Sequence, residues 1–253
     1  MTNIKTVSDT KRAFYSHHTK PINSVYRRVV EELMVEMHLL SVNSDFKHDA
    51  IYYLGVVSSY DRLMEGYQPE QDKESIFKAL CHSIDQDPGH YRAQAEQILA
   101  IAESKSAADL VAWLQSPEGD PNVTGPIAAI SSNEKFKYSR IFAIGLYSLL
   151  EKAEPELIKD KEKSQEIFTS IVESLNLPQE KTSKDLDTYR GSLEKMTQLL
   201  QVMEDMLEAS RKQREKRATE KAEREQAQAA KAEADATEET KVEEVKAEET
   251  VES

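Results

Sequence analysis

The sequence contains little that would interrupt a helix or cross-link the chain. Of its 253 residues only seven are Gly, eight are Pro and one is Cys. A single Cys cannot form an internal disulfide, and the longest dense apolar run, 141–150, is too short to cross a bilayer as a helix. We also find no period-two run of β-branched residues, which is the pattern of strands. The sequence therefore predicts an all-α protein with neither a disulfide nor a membrane-spanning helix.

Acidic residues outnumber basic ones. Lys and Arg total 33 against 46 Asp and Glu, which gives a formal net charge of −13. This charge repels the phosphate backbone that supplies most non-specific affinity for nucleic acid, so we expect no nucleic-acid partner. The excess is greatest at the end of the chain, where residues 231–253 hold nine acids and three Lys.

The apolar spacing divides the chain into three parts. Residues 1–180 predict a multi-helix globular bundle, residues 181–225 a long C-terminal helix, and residues 226–253 a disordered acidic tail. The tail has no aromatic residue and too few apolar ones to offset the entropy of ordering. Fold class is thus all-α, with a globular bundle, a coiled-coil-like C-terminal helix and a disordered end.

Four local predictions depend on Pro, Gly and capping residues. We expect a helix from Pro21 to Val42 with Pro21 in its first turn, and a long loop at residues 117–126, where Pro and Gly are concentrated. Ser131 with Glu134 has capping-box spacing before the apolar run at 141–150, and that run is predicted to be a central helix. Thr182 with Asp185 is the predicted cap of the C-terminal helix.

The C-terminal helix carries a heptad pattern over three repeats. Its apolar residues recur at steps of three and four and are Leu186, Tyr189, Leu193, Met196, Leu200, Met203 and Leu207. They fit either a self-associating coiled coil or a helix whose first half packs on the globular body. Leu199 and Met206 make the stripe wider than a two-stranded zipper needs, so we favour packing on the body. Hydrophobic packing is predicted to stop after Leu207.

A search for chemical motifs finds no catalytic or metal-binding constellation. The sequence has no HExxH motif and no phosphate-binding Gly loop. The adjacent His17 and His18 point to different sides of a helix and cannot share an ion. Cys81 is predicted to be a small buried hydrophobe, not a nucleophile. We therefore expect no enzyme activity, no cofactor, no metal and no small-molecule substrate.

The stretch from Arg211 to Arg224 is basic and could contact anionic lipid headgroups. Interleaved glutamates weaken that interpretation, and no Trp, Phe or Leu face is present for insertion into a membrane. We favour a solvated helix surface there, with direct lipid binding as the alternative.

Three segments resemble one protein family. They are SDTKRAFYSHHTKPINSVYRRVVEELMVEMHLLSVN at 8–43, YYLGVVSSYDRLMEGYQPEQDKESIFKALC at 52–81, and DPGHYR at 87–92. Together they closely resemble the thylakoid formation protein family, which is also described as a photosystem II biogenesis factor. The resemblance covers about residues 5 to 205, although Lys20 stands where an Arg is expected before the Pro. Because the first residues do not resemble a transit peptide, the chain looks like a cyanobacterial member.

The resemblance implies a non-enzymatic, all-helical accessory protein for thylakoid biogenesis and for photosystem II assembly and repair. It implies binding to membrane FtsH protease complexes, and peripheral attachment at the cytoplasmic side of the thylakoid membrane beside a soluble pool. The family supplies no active-site residues. From the sequence we select candidate partner contacts that are aromatic, histidine or basic residues: Tyr15, His17, His18, Lys20, Arg27, Arg28, Arg211, Arg214 and Arg217.

Two other functions stay open at this point. The C-terminal helix could make the protein a coiled-coil scaffold, with self-association through that helix. Less favoured is a helical bundle that binds a small ligand through its His and Glu residues.

Overall fold

The computed structural model describes the backbone of residues 5–249 and the side chains of residues 5–221. Within that range the chain forms ten α-helices and no strand, which confirms the all-α prediction and the long C-terminal helix. The helices are α1 (Val7–His17), α2 (Ser24–Ser41), α3 (Ala50–Leu63), α4 (Gln71–Ser83), α5 (Pro88–Glu103), α6 (Ala107–Gln115), α7 (Pro121–Ala128), α8 (Arg140–Ala153), α9 (Lys161–Ser174) and α10 (Gln179–Glu249).

By their internal contacts the residues form two compact units, Met1–Met196 and Thr197–Ser253. The first unit holds α1 to α9 and the beginning of α10. The second holds the rest of α10. The domain bounds that the sequence predicts at residues 180 and 225 stay predictions, as does the disorder of residues 226–253, of which 250–253 lie outside the described residues.

The core of the first unit is built around α3 and α8. All ten residues from Ile141 to Leu150 are buried, as are ten of the 14 residues of α3. A helix that is apolar on every side must be surrounded by others, and α3 packs on both α8 and α5. The central position predicted for residues 141–150 is confirmed.

Two glycines allow α3 and α8 to approach closely. A Cβ atom added to Gly55 would collide with the carbonyl oxygen of Ile141, and one added to Gly145 would collide with that of Ile51. The two contacts are reciprocal, because each glycine lies against the first turn of the other helix. Only a residue without a side chain fits at these positions, so the spacing of α3 and α8 depends on both.

Buried side chains tie the beginning of α10 to the first unit. Leu186 and Tyr189 are buried, and the Tyr138 hydroxyl donates a hydrogen bond of 2.9 Å to Asp185. The Arg190 guanidinium lies 4.8 Å from the ring centroid of Tyr147 and donates to the Ser164 hydroxyl at 3.0 Å. The preference for packing the first part of the heptad stripe on the body is therefore correct.

Burial of that stripe ends earlier than the sequence predicts. Met196 is buried, Leu200 is half-buried, and every residue from 201 to 221 is exposed. The prediction that packing continues to Leu207 is wrong, because heptad spacing marks an apolar face without saying whether this chain supplies its cover.

Three local predictions near Pro and capping residues are also wrong. The segment at 117–126 is not one loop, since α7 begins at Pro121, where a missing N–H costs nothing, and Asp120 caps it. The cap of α8 is Ser139, whose hydroxyl accepts from the Phe142 amide at 3.1 Å, and not Ser131 with Glu134. Pro21 precedes the cap of α2, which is Asn23.

The predicted cap of α10 at Thr182 and Asp185 also differs from the structure. The helix begins at Gln179, and the Thr182 hydroxyl donates to the Pro178 carbonyl at 2.9 Å. Thr182 thus lies inside the first turn, where its hydroxyl is satisfied by the preceding backbone.

Candidate interaction surfaces

Most of the N-terminal candidate contacts are already engaged within the chain. The Tyr15 hydroxyl donates to Glu31 at 3.1 Å, and Lys20 donates to the buried Asp72 at 2.5 Å. The ring of His17 is exposed and lies 5.2 Å from that of His82. These side chains hold α1 and the segment after it against α2 and α4, which is a structural role beside any contact with a partner.

His18 differs from its neighbour because it is buried. It is the C-cap of α1, only 2% of it is exposed, and its Nδ1 lies 3.0 Å from the Ser75 hydroxyl oxygen. Burial lowers the pKa of the His18 imidazole by disfavouring the charged ring. The structure therefore removes His18 from the accessible part of the candidate set.

The two arginines of α2 are exposed. Arg28 pairs with Glu32 at 2.9 Å, as the four-residue spacing predicts. Glu31, four residues after Arg27 and so at the spacing that would allow a pair, instead forms an ion pair with Lys11 at 3.0 Å. Among the described side chains Arg27 has no ion pair within 4 Å, so it is one of the cations of this region that a partner can reach.

A group of exposed and half-buried apolar side chains lies on α10 after Met196. We call it the α10 stripe; it consists of Leu199, Leu200, Val202, Met203, Met206 and Leu207. Val202 is 54% exposed, Met206 67% and Leu207 71%. Single exposed hydrophobic residues are ordinary, but a contiguous stripe on one helix is typical of a protein interface.

The same helix becomes cationic beyond the stripe. Arg211 pairs with Glu215 at 3.1 Å, whereas Arg214 and Arg217 form no ion pair with the described side chains. Arg214 and Arg217 continue the heptad positions of Leu200 and Met203 by two repeats. Of the three predicted arginines, Arg214 and Arg217 lie on the same face of the helix as the stripe, and these two form no ion pair with a described carboxylate.

A second, smaller apolar patch lies at the end of α2. Val35, Leu39 and Val42 are 37%, 56% and 40% exposed and follow one another at steps of four and three. The prediction of a helix from Pro21 to Val42 did not include this patch. The spacing of these three residues was the available signal.

A polar cavity that the sequence does not predict lies between α3, α5 and α7. Its volume is about 420 Å³, and His48, Asp49, His90 and Asp120 contribute to its wall. The Asp49 carboxylate accepts from the Tyr52 amide at 2.8 Å as the N-cap of α3, and burial raises the pKa of Asp49 to about 7. Asp49 and Asp120 both cap helices, so the cavity owes its polarity to helix starts.

Groups that would indicate chemistry are not brought together in the described residues. No three His, Cys, Asp or Glu side chains of that part of the chain are placed to hold a metal ion. Cys81 is buried, and burial raises the pKa of its thiol to about 12, which makes it a poor nucleophile. The structural role predicted for Cys81 agrees with this environment.

None of the helices described by the structure combines the length and the hydropathy needed to cross a bilayer. The fold and its surfaces thus define a class of helical proteins: a bundle with a long C-terminal helix that presents an uncovered apolar stripe.

Comparison with known proteins identifies the family. The family model described as thylakoid formation protein matches residues 6–218, which is most of the chain. The protein therefore belongs to the thylakoid formation protein family, and the resemblance found from the sequence is confirmed.

Relatives are similar over nearly their whole length. Protein Thf1 of a Nostoc species is 56% identical over 217 residues, which are 85% of this chain and 93% of the relative. Protein Thf1 of Nostoc punctiforme is 54% identical over 220 residues, 86% of this chain and 94% of the relative. The solved structure of Psb29 is 38% identical, with a TM-score of 0.65, and covers 76% of this chain and 98% of its own.

Proposed function

We propose that this protein is a non-enzymatic accessory factor of photosynthetic membrane biogenesis that binds and stabilises a membrane FtsH protease complex. Through that complex it supports the assembly and repair of photosystem II. The family membership supports the biogenesis role, and the resemblance to the family suggests FtsH as the partner. It acts from the cytoplasmic side of the thylakoid membrane as a peripheral protein.

The observation that carries a binding function is the α10 stripe. Burying apolar surface contributes roughly 25 cal/mol per Å², so four exposed and two half-buried apolar side chains on one helix represent a large unused contribution to association. Enzymes gather converging ionisable groups around a reacting atom, and in the described residues the polar groups instead cap helices and join them.

The test is isolation of the tagged protein from detergent-solubilised thylakoids of a strain that lacks the native gene. We expect FtsH subunits to co-purify and the deletion strain to contain less FtsH than the complemented strain. Photosystem II repair after strong light should be slower in the deletion strain. Absence of FtsH from the isolate, together with normal FtsH levels in the deletion strain, would contradict the proposal.

The scaffold alternative makes a different prediction. If self-association through α10 were the function, light scattering of the purified protein would show an oligomer that truncation after Glu208 or after Met196 abolishes. A monomer at the cellular concentration would exclude this alternative and leave the accessory role in place.

A further inference from the structure

The α10 stripe and the cations that follow it lie on one face of one helix. Leu200, Met203 and Leu207 occupy alternating heptad positions, and the same positions are next filled by Ser210, Arg214 and Arg217. The face is therefore apolar over two turns and cationic over the next two. From Leu200 to Arg217 it extends roughly 26 Å at 1.5 Å per residue.

The charges along this segment differ in whether they are neutralised. Lys212 pairs with Glu208 at 2.9 Å on the side of the helix away from the a and d positions. Arg211, at an e position beside the face, pairs with Glu215 at 3.1 Å. Arg214 and Arg217 have no such partner among the described side chains. A ligand that covers the whole face must supply carboxylates where these two guanidinium groups lie.

A second copy of this chain does not supply them. A parallel pair would place Arg214 against Arg214 and Arg217 against Arg217, and like charges at facing heptad positions destabilise a coiled coil. An antiparallel pair centred on the stripe would bring Glu204 against its own copy. Arg214 would then lie level with Glu194, which is at a b position outside the seam, so no carboxylate on the seam meets the arginines. Both self-pairings lack charge complementarity.

An anionic membrane does not fit the apolar half. Residues 197–208 carry Glu204, Asp205 and Glu208 and no basic residue, so this segment is repelled by anionic headgroups. Residues 197–221 also contain no aromatic residue, which interfacial helices use to insert. The apolar and the cationic halves would thus respond oppositely to a lipid surface.

We propose that the face formed by the α10 stripe, Arg214 and Arg217 binds one amphipathic helix of a different protein. The bound helix packs apolar residues at heptad spacing on the stripe and places Glu or Asp residues opposite the two arginines. This inference rests on the proposed function, since it assigns the surface through which the protein binds its partner. The mode is helix-on-helix recognition through a few anchor side chains.

The probe is a fluorescent 21-residue helical peptide with Leu at the a and d positions of two heptads and Glu at those of the third. A second version carries the Glu heptad at the other end, so that both orientations are covered. Control peptides have Lys in place of Glu. We expect one acidic peptide to bind the full chain at least tenfold more tightly than its Lys control in fluorescence anisotropy.

Variants of the full chain locate the site. Met203→Asp with Leu207→Asp should weaken binding of the acidic peptide more than tenfold and leave the melting temperature unchanged, because both residues are exposed. Arg214→Glu with Arg217→Glu should reverse the preference toward the Lys peptide. The matched control, Lys212→Glu with Lys216→Glu, makes the same change of charge at f and c positions, away from the a and d positions, and should retain the acidic preference.

Several results would overturn the inference. Two are peptide results: equal binding of the acidic and Lys peptides, or unchanged peptide binding by the Met203→Asp, Leu207→Asp variant. The other two would identify a different ligand: a wild-type dimer in light scattering, or wild-type binding to anionic vesicles, that the same variant abolishes. Co-purification separates the two proposals. In one outcome the Met203→Asp, Leu207→Asp variant still captures FtsH and the wild type binds acidic and Lys peptides equally. The helix-binding face is then wrong and the proposed function stands. In the other outcome the peptides bind as expected but the wild type captures no FtsH; the proposed function is then wrong and the helix-binding face stands.

Discussion

Helix α8 and the part of α10 after Met196 both carry many apolar residues and lie in opposite environments. In α8 the residues from Ile141 to Leu150 are all buried, whereas in α10 the residues from 201 to 221 are all exposed. The two helices differ in how many of their sides are apolar. Helix α8 is apolar on every side and needs several neighbours, while α10 has one stripe beside charged faces and needs a single partner.

The buried and exposed regions also differ in how their ionisable caps respond to pH. Burial raises the pKa of Asp49, the cap of α3, to about 7. Asp160, the partly exposed cap of α9, has a lowered pKa, mainly because its carboxylate accepts a hydrogen bond from the Lys163 amide. The same residue type in the same capping role should therefore give opposite pH dependences.

The largest effect is expected for Asp49. Because its folded pKa lies above the unfolded value of 3.8, the folded chain holds a proton that the unfolded chain releases, so stability falls as pH rises from about 4 to about 7. A shift of about three units corresponds to at most about 4 kcal/mol. Asp49→Asn keeps a good cap without the charge, so it should gain stability relative to wild type across this interval.

The measurement is urea unfolding of wild type and Asp49→Asn between pH 4 and pH 8. The difference between the two curves carries the result, since buried histidines such as His38 have lowered pKa values and add stability as pH rises near 6. Asp160→Asn is the control; its difference from wild type should stay constant over this interval, because the lowered pKa of Asp160 places the loss of that difference below about pH 4. Parallel curves for Asp49→Asn and wild type would contradict the buried-cap interpretation.

The next effect tests where the buried part of the heptad pattern ends. Leu186 is fully buried and Leu207 is 71% exposed, although both occupy the a position. Leu186→Ala should lower the free energy of unfolding by about 3 kcal/mol through lost burial and a cavity. Leu207→Ala should change it by less than about 0.5 kcal/mol.

Denaturant midpoints of the purified variants measure both effects. A loss for Leu207→Ala comparable with that for Leu186→Ala would show that α10 is covered beyond Met196. That outcome would remove the contrast between the two regions.

These positions also show what sequence patterns can and cannot predict. Apolar spacing located the central helix at 141–150, because a run that is apolar on all sides has one solution in water. It did not locate the end of burial in α10, since a single stripe is satisfied equally by the same chain or by another. Pro121 was misjudged for a local reason: a Pro at the first position of a helix is tolerated, and its sequence neighbourhood resembles a loop.

The candidate surface was predicted only in part. Arg214 and Arg217 were selected for their charge alone. Arg214 has no acidic residue three or four positions away, so the sequence already indicated that it lacks a local partner. Arg217 has only Glu220 at such a spacing, and Glu220 lies 4.0 Å from Lys216 instead. His18 could not be assigned to the interior because its burial depends on Ser75, 57 residues away. The polar cavity joins three helix starts whose proximity is a tertiary property.

The smallest effect compares a glycine that packs with one that does not. Adding a methyl group at Gly145 in α8 would push against the Ile51 carbonyl, whereas a Cβ at Gly191 in α10 has no neighbour within 4 Å. Gly145→Ala should cost about 2 kcal/mol, since overpacking outweighs the gain in helix propensity. Gly191→Ala should instead stabilise by roughly 0.5 to 1 kcal/mol, because alanine loses less backbone entropy on folding.

Thermal unfolding of the two alanine variants gives the sign directly. Opposite signs would mean that α8 is held by contact at its backbone and that α10 near Gly191 keeps open space beside it. If both variants were stabilised, α3 and α8 could separate at little cost, and the reciprocal approach of Gly55 and Gly145 would not be what fixes their spacing. If both were destabilised, some neighbour would have to approach α10 at Gly191. The space beside Gly191 would then not be open, and the contrast between Gly145 and Gly191 would be lost.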